Sequence, residues 1–192
     1  RFVALTVTPY SLAPGITANA TPFADPSLGR TYDREIGFDR TDLFVFDLEK
    51  DDKSGLRRLT TDAYAEIDPA WSPDGQRIAF STDRFTTNLE TIKPGHLRLA
   101  LMEVSTGTVR ELGGFPEAKN ISPQWAADGR SIYFLSDRQG ITNIYRTQVD
   151  GAKTTQLTNM LTGASGITAL SPAMSFAGGR LVFSAYENDG YN

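Results

Sequence analysis

The chain has no cysteine and only one histidine, His96. The missing thiols exclude disulfides, thiolate metal ligands and cysteine nucleophiles. A single imidazole also excludes any site within these residues that needs two histidines. No pair of carboxylates and no Gly-x-Ser-x-Gly string marks an active site. We therefore expect no catalytic residue, no metal and no cofactor in this stretch of chain.

Long apolar runs and an excess of basic charge are missing as well. Nineteen Lys and Arg against 23 Asp and Glu give a net charge of −4, and no basic cluster stands out. This balance argues against a nucleic-acid partner. No run approaches the roughly 18 apolar residues that a membrane-spanning helix needs, so we expect no transmembrane segment. The 40% hydrophobic and 22% charged content is ordinary for a globular domain.

One short string of residues recurs along the chain and is the strongest signal in the sequence. Pro-x-Trp-x-x-Asp-Gly begins at Pro69 and again at Pro123, and a weaker copy begins at Pro172. The copies are 54 and then 49 residues apart. A propeller blade takes about 40–45 residues, so this spacing fits blades with inserted loops.

Each repeat unit reads as four short strands separated by turns. In the first complete unit the expected strands are 69–72, 78–81, 97–104 and 108–112. The turn after the first strand has Pro at its second position and Gly where a positive φ is favoured. A β-sandwich would also give short strands and Gly turns, but it does not explain why one string recurs. We predict an all-β fold, a β-propeller of consecutive four-stranded antiparallel blades, with about three to four blades present in a partial ring.

The strand pattern divides the chain into segments of one propeller. We expect a partial blade over 1–60 with a loop insertion at 9–41, complete blades over 58–112 and 110–158, and a partial blade over 156–192. A closed ring takes about four to eight blades. We therefore expect additional chain, or a second chain, to complete the ring.

The repeat signature resembles that of the TolB-like family, a WD40-like (PD40) β-propeller repeat. The resemblance covers 42–192, and the third copy departs from it because Met174 replaces Trp and no Asp-Arg follows Phe183. We interpret the Asp-Arg pairs as structural and the two tryptophans as core between blades. The signature residues are Trp71, Asp74, Gly75, Asp83, Arg84, Trp125, Asp128, Gly129, Asp137 and Arg138.

Two long loops indicate a surface for a protein partner. The loops 9–41 and 85–96 follow second strands, and in a propeller they share a face with the loops that lead into inner strands. Long ordered loops are often functional, although these could instead cover an exposed edge or contact a neighbouring domain. The candidate contact residues are Tyr10, Phe23, Tyr32, Tyr64, Glu66, Asp68, Glu117, Lys119 and Asn120.

Three functions remain open at this point. The resemblance to TolB implies a non-catalytic scaffold that binds a protein partner in the bacterial cell envelope, periplasmic or otherwise extracytoplasmic, as part of a larger protein or complex. A second reading is the gating propeller of a prolyl-oligopeptidase-like serine peptidase whose catalytic residues lie elsewhere. A third is a module of a large surface protein that also has a membrane or metallopeptidase-like domain. Fold alone does not determine function. We prefer the non-catalytic scaffold because it requires no catalytic residue or further domain that is missing from these residues.

Overall fold

The structure, a computed structural model, describes residues 2–7, 41–50, 53–165, 173–187 and 190–191. Within these ranges the chain forms fifteen β-strands and one 3-10 turn, Lys53–Gly55. No helix among these residues is long and apolar enough to cross a membrane. The strands are β1 (Phe2–Val7), β2 (Asp42–Asp47), β3 (Leu56–Arg58), β4 (Glu66–Trp71), β5 (Arg77–Thr82), β6 (Arg98–Glu103), β7 (Thr108–Glu111), β8 (Asn120–Trp125), β9 (Ser131–Ser136), β10 (Asn143–Gln148), β11 (Thr154–Gln156), β12 (Met174–Ala177), β13 (Arg180–Phe183), β14 (Tyr186–Glu187) and β15 (Gly190–Tyr191).

The strands form antiparallel meanders in chain order. The first sheet is β1-β2-β3, the second is β4-β5-β6-β7 and the third is β8-β9-β10-β11. Two further hairpins, β12-β13 and β14-β15, follow. The predicted all-β fold with four-stranded antiparallel blades is confirmed.

One backbone hydrogen bond recurs at the end of each of the three sheets. The N–H groups of Leu59, Leu112 and Leu157 each donate to a residue on the third strand of a blade, at 2.8, 2.9 and 2.8 Å. The acceptors are the carbonyls of Leu43, Leu99 and Ile144. Since Leu43 lies on β2, the strands β1, β2 and β3 correspond to the second, third and fourth strands of a complete blade.

The turn between the first two strands of a complete blade depends on glycine. Gly75 N–H donates to the Ser72 carbonyl at 2.9 Å, and Gly129 N–H donates to the Ala126 carbonyl at 3.0 Å. Both glycines have positive φ, 69° and 66°, which a side chain disfavours. The two signature Asp-Gly strings therefore perform the same task in adjacent blades.

The third copy of the repeat forms a different hairpin. In β12-β13, Ala177 pairs with Arg180, so only Gly178 and Gly179 connect the strands. Both have positive φ, as a two-residue hairpin turn requires. The third copy, which has Gly178-Gly179 where the other copies have Asp-Gly followed by one more residue, therefore has a shorter turn.

Core residues lie between consecutive sheets rather than inside one. Ile78 and Phe80 on β5 pack with Leu43 of the first sheet, whereas Ala79, between them, packs with Trp125 of the third. Successive side chains of a strand point to opposite faces, and all of these residues are buried. Each blade therefore has two apolar faces, and a blade alone would leave both exposed.

Candidate functional site

Loops from neighbouring strands meet at one end of the second and third sheets. We call the segments 61–65, 83–97, 113–119 and 137–142 the loop face. Ala65 N–H donates to Asp83 Oδ1 at 2.9 Å, and Lys119 N–H donates to Asp137 Oδ1 at 2.9 Å. Asp83 and Asp137 thus each connect the loop before an inner strand to the loop after the second strand of the same blade.

The two signature arginines have different partners on this face. Arg84 Nη2 donates to Asp62 Oδ2 at 2.7 Å and to Glu66 Oε1 at 2.6 Å. Arg138 instead lies 4.4 Å from the ring centroid of Phe115, a cation–π contact. The difference follows from the residue that starts the inner strand, which is acidic in one blade and an amide in the next.

Glu66 is a fully buried carboxyl group at the junction of the first two sheets. Its Oε2 accepts the Thr60 hydroxyl at 2.7 Å, and Thr60 Oγ1 accepts the N–H of Leu43 on β2 at 2.8 Å. Burial, with a smaller contribution from Asp62, raises the pKa of Glu66 to about 8, although its bonds to Thr60 and Arg84 favour the charged form. Two carboxyl groups thus share one guanidinium group.

The ion pair of Arg58 and Asp42 continues this network into the first sheet. Arg58 Nη2 donates to Asp42 Oδ2, and its Nε donates to the Thr60 carbonyl at 2.8 Å. Glu66 N–H also donates to the Thr41 carbonyl at 3.1 Å. Buried polar groups that are satisfied in this way hold neighbouring elements in one arrangement. The network therefore links the first two blades beneath the loop face.

Asn120 occupies the position of Glu66 in the next blade and is also fully buried. Its Nδ2 donates to the carbonyls of Phe115 and Ala118 at 2.9 and 2.8 Å, and its Oδ1 accepts the Phe115 N–H at 3.2 Å. These bonds satisfy the backbone of the loop 113–119. The prediction that Glu66 and Asn120 contact a partner directly requires correction, because both side chains are 0% exposed. Their hydrogen bonds instead hold the loops of the loop face in place from the interior.

Asp68 connects the second blade to the third. Its Oδ2 accepts both the N–H and the hydroxyl of Ser122, each at 3.1 Å. Asp68 and Ser122 have φ values of 54° and 55°, and each lies at an irregularity in the strand pairing of its blade. Positive φ is uncommon in residues other than glycine, so the bulge is a repeated structural feature, and a polar contact joins its two copies.

Trp125 makes a second contact between these two blades. Its indole Nε1 donates to the Ala70 carbonyl on β4 at 3.0 Å, and the Arg77 guanidinium carbon lies 5.0 Å from the Trp125 ring centroid. The side chain is 7% exposed. Its surroundings are those of a side chain packed between blades.

The other predicted contact residues have different positions. Glu117 and Lys119 are exposed on the loop 113–119, and Asp68 is exposed on β4. Tyr64 is partly buried, with the Arg84 guanidinium carbon 5.7 Å from its ring centroid. Tyr10, Phe23 and Tyr32 lie outside the described residues. Direct contact therefore remains a prediction for Tyr64, Asp68, Glu117 and Lys119.

The loop 83–97 has an ordered tip that the sequence analysis did not single out. Asn88 and Lys93 exchange two backbone hydrogen bonds of 2.9 Å. Asn88 Oδ1 accepts the N–H groups of Glu90 and Thr91 at 3.0 and 2.9 Å. This turn presents Ile92 with φ at 54° and half of its surface exposed. The one feature of the sequence that could have indicated this exposed tip is an isoleucine between Thr91 and Lys93 in an otherwise polar loop.

The base of the same loop is also held by hydrogen bonds. Thr87 Oγ1 donates to Asp83 Oδ2 at 2.5 Å and accepts the Gly95 N–H at 2.9 Å. Thr86 Oγ1 donates to the His96 carbonyl at 2.7 Å. Phe85, next to these threonines, is 37% exposed. The loop therefore has a defined shape and displays two apolar side chains.

The described part of the chain contains no group of three or more His, Cys, Asp or Glu residues that could hold a metal ion. The carboxylates of Asp62 and Asp83 on the loop face, and of Glu66 beneath it, form hydrogen bonds to backbone, hydroxyl and guanidinium groups.

Known proteins resemble the chain in both sequence and fold. No protein-family model matches it. The Protein TolB homolog of Chlorobium luteolum is 30% identical over 132 residues, which cover 69% of this chain and 26% of that protein. A solved structure described as a TolB of Agrobacterium tumefaciens superposes with a TM-score of 0.57 and 23% identity, covering 81% of this chain and 50% of the other. The chain shares the TolB-like β-propeller repeat with these proteins.

The chain is also similar to the solved structure of an enzyme. The crystal structure of a puromycin hydrolase matches this TolB-like chain with a TM-score of 0.52 and 27% identity, covering 70% of this chain and 21% of the other. The chain spans less than half the length of the curated relatives that it matches. The shared feature is the propeller, which occurs both in TolB and in the hydrolase.

Proposed function

We propose that this TolB-like propeller is a non-catalytic scaffold that binds a protein partner through its loop face. The observation that carries the proposal is the ordered tip of the loop 83–97, which presents Ile92 to solvent from a backbone held by hydrogen bonds. A β-branched residue at positive φ is a strained arrangement. Such strain at an exposed apolar side chain supports a role in recognition.

Other residues exposed on the loop face also suit a protein surface as the ligand. Phe85 adds a second exposed apolar side chain, and Glu117 and Lys119 add charges of both signs on a neighbouring loop. Interfaces commonly combine an apolar centre with a polar rim. The loops need little ordering on binding, because their backbones already have hydrogen-bond partners, and preorganisation lowers the cost of association.

The resemblance to TolB supports placing this scaffold in the bacterial cell envelope, in the periplasm. It also supports a role within a larger protein or complex, since the chain covers 26% of the TolB homolog. In this setting the partner is another protein of the envelope.

Site-specific photo-cross-linking in cells tests the proposal. A photoreactive residue at Ile92 should cross-link to a defined protein partner. The same residue at Thr106, an exposed position in the turn between β6 and β7 at the opposite end of the blade, should not. Equal cross-linking from the two positions, or none from Ile92, would contradict the proposal.

A substitution provides the matched energetic test. Complete burial of an isoleucine side chain is worth about 1.5–3 kcal/mol, so Ile92→Asp should weaken the complex by about ten-fold or more. Thr106→Asp introduces the same charge away from the loop face and should leave the affinity unchanged. The affinity is measured by titration with the partner identified by cross-linking.

The alternative is that the propeller gates the catalytic domain of a serine peptidase related to prolyl oligopeptidases. The 27% identity with a puromycin hydrolase supports this alternative. An active-site fluorophosphonate probe applied to the native protein separates the two functions. Labelling that competes with a peptide substrate would establish the peptidase, and absence of labelling is expected for the scaffold.

A further inference from the structure

The two signature arginines of the loop face differ in how many of their hydrogen-bond donors are in use. Arg84 donates to Asp62 and Glu66 at 2.7 and 2.6 Å, so two carboxyl groups accept from its guanidinium group. Arg138 is exposed, and in the described part of the chain it forms no ion pair and its guanidinium group donates no hydrogen bond. A guanidinium group has five N–H donors and no acceptor. Arg138 therefore presents a positive charge and unused donors on the loop face.

The difference between the two arginines has a cause in the sequence. The inner strand of the blade that carries Arg84 starts with Glu66, whereas the inner strand of the next blade starts with Asn120. The Asn120 amide is neutral, and its Nδ2 and Oδ1 are both used in hydrogen bonds to the Phe115 backbone. The buried carboxyl group that contacts Arg84 therefore has no counterpart beside Arg138.

Two acidic residues lie close to Arg138 in the sequence or on the loop 113–119. Asp137 Oδ1 accepts the Lys119 N–H at 2.9 Å. Glu117 is exposed on its loop. Among the residues that the structure describes, neither acid forms an ion pair with Arg138. The charge of Arg138 is therefore available to an acid of another molecule.

The ring of Phe115 positions the guanidinium group. The Arg138 guanidinium carbon lies over this ring, 4.4 Å from its centroid. The ring meets Tyr145 edge-on, with centroids 4.8 Å apart, and Tyr145 stacks on Phe134 at 5.7 Å. Tyr145 and Phe134 are buried, so the ring of Phe115 packs on fixed neighbours. Because the guanidinium group stacks through its face, the N–H groups along its edge stay free to bind a carboxylate.

The backbone that carries Arg138 is held as well. Gly140 N–H donates to the Asp137 carbonyl at 2.7 Å, and Gly140 has a φ of 81°. This bond closes a turn in which Arg138 is the second residue. A side chain that is held both at its backbone and at its guanidinium group loses little freedom on binding, which favours association.

We propose that Arg138 binds the carboxylate of an aspartate or glutamate side chain on the protein partner. Arginine and a carboxylate form two parallel charge-assisted hydrogen bonds, and complementary charges at an interface select between partners. The inference rests on the proposed function, because Arg138 belongs to the loop face, and it adds that the partner is acidic at this contact.

Peptides selected on the full-length protein from a random phage-displayed library test the inference. Each displayed peptide is fused at its carboxyl terminus, so its carboxylates are those of aspartate and glutamate side chains. The selected peptides should share an acidic residue. One of them, synthesised with an amidated carboxyl terminus, is then titrated with the protein by fluorescence polarisation.

A double-mutant cycle assigns the contact. Arg138→Gln should weaken binding of this peptide by about ten- to hundred-fold, the range expected for hydrogen bonds to a charged group. Replacing the peptide's acid with its amide should have the same effect and leaves the protein unchanged. The two changes together should weaken binding little more than either alone, as expected for groups in contact.

Matched variants and a free anion make the result specific. Arg138→Lys keeps the charge but loses the pair of parallel donors, so its affinity should be intermediate. Arg130→Gln changes another exposed arginine, in the turn between β8 and β9 at the opposite end of the same blade, and should leave binding unchanged. Inorganic phosphate at millimolar concentration should not displace the peptide.

Selected peptides without an acid, equal losses for Arg138→Gln and Arg130→Gln, or displacement by phosphate would overturn the inference. Ile92→Asp separates this inference from the proposed function. Peptides that require Ile92 but not Arg138 would refute the inference and leave the proposed function intact. Peptides that require Arg138 but not Ile92 would support the carboxylate site and contradict the role given to Ile92. Recovery of no binding peptide would count against both.

Discussion

Replacing Glu66 with glutamine isolates the effect of the buried carboxyl group on stability. The pKa of Glu66 is about 8 in the folded protein, compared with an ordinary value of 4.5. At a pH between these two values, Glu66 is protonated in the folded state and deprotonated in the unfolded state. The contribution of this group to stability is therefore fully present below pH 4.5 and is lost as the pH rises to about 8.

The expected slope follows directly from this difference of one proton. The free energy of unfolding of the wild-type protein should fall by up to about 1.4 kcal/mol per pH unit across that window relative to the variant. The pKa of about 8 already includes the attraction of Arg84, whose Nη2 lies 2.6 Å from Glu66 Oε1, so this attraction narrows the pH window and does not change the slope within it. Glutamine retains the shape and can still bond to Thr60, but it does not titrate.

Urea unfolding at intervals of one pH unit from 5 to 9 measures this difference. The wild-type protein should be increasingly less stable relative to Glu66→Gln as the pH rises. Glu117→Gln removes an exposed carboxyl group from the same face and should show no such trend. If the difference between wild type and Glu66→Gln is independent of pH, or changes in the opposite direction, our assignment of Glu66 as a buried, protonated acid is refuted.

The remaining predictions concern the core and the support of the loop face, and chemical denaturation checks each. Phe80→Ala should reduce the free energy of unfolding by about 3–5 kcal/mol, because Phe80 is fully buried between the first two blades; Val182→Ala, at a position that is 69% exposed, should change it by less than about 0.5 kcal/mol. Asn120→Ala should cost about 1–3 kcal/mol, since it leaves the Phe115 backbone groups without partners, and it should speed hydrogen exchange in 113–119. An unchanged exchange rate there would contradict the role given to Asn120.

The blade architecture was predictable from the sequence because its signals are local. The turn at Gly75 and Gly129 follows from residues within a single string. The alternation in β5, where Ile78 and Ala79 face different blades, follows from the two-residue period of a strand. These features need no knowledge of distant parts of the chain.

The interior of the candidate site depends on contacts over long sequence distances and was less predictable. In the sequence, Glu66 and Asn120 are polar residues close to a predicted turn, and such residues are usually exposed. Their burial depends on Thr60, Arg84 and the Phe115 backbone. The exposed tip at Ile92 depends on a backbone conformation that composition does not reveal.

Hydrogen exchange of the protein bound to its cross-linked partner tests the central claim most directly. Binding through the loop face predicts slower exchange in the segments 61–65, 83–97 and 113–119, with no change in the turns 104–107 and 149–153 at the opposite end of the blades. Slower exchange confined to those turns, or no change in the three loop segments, would contradict the account.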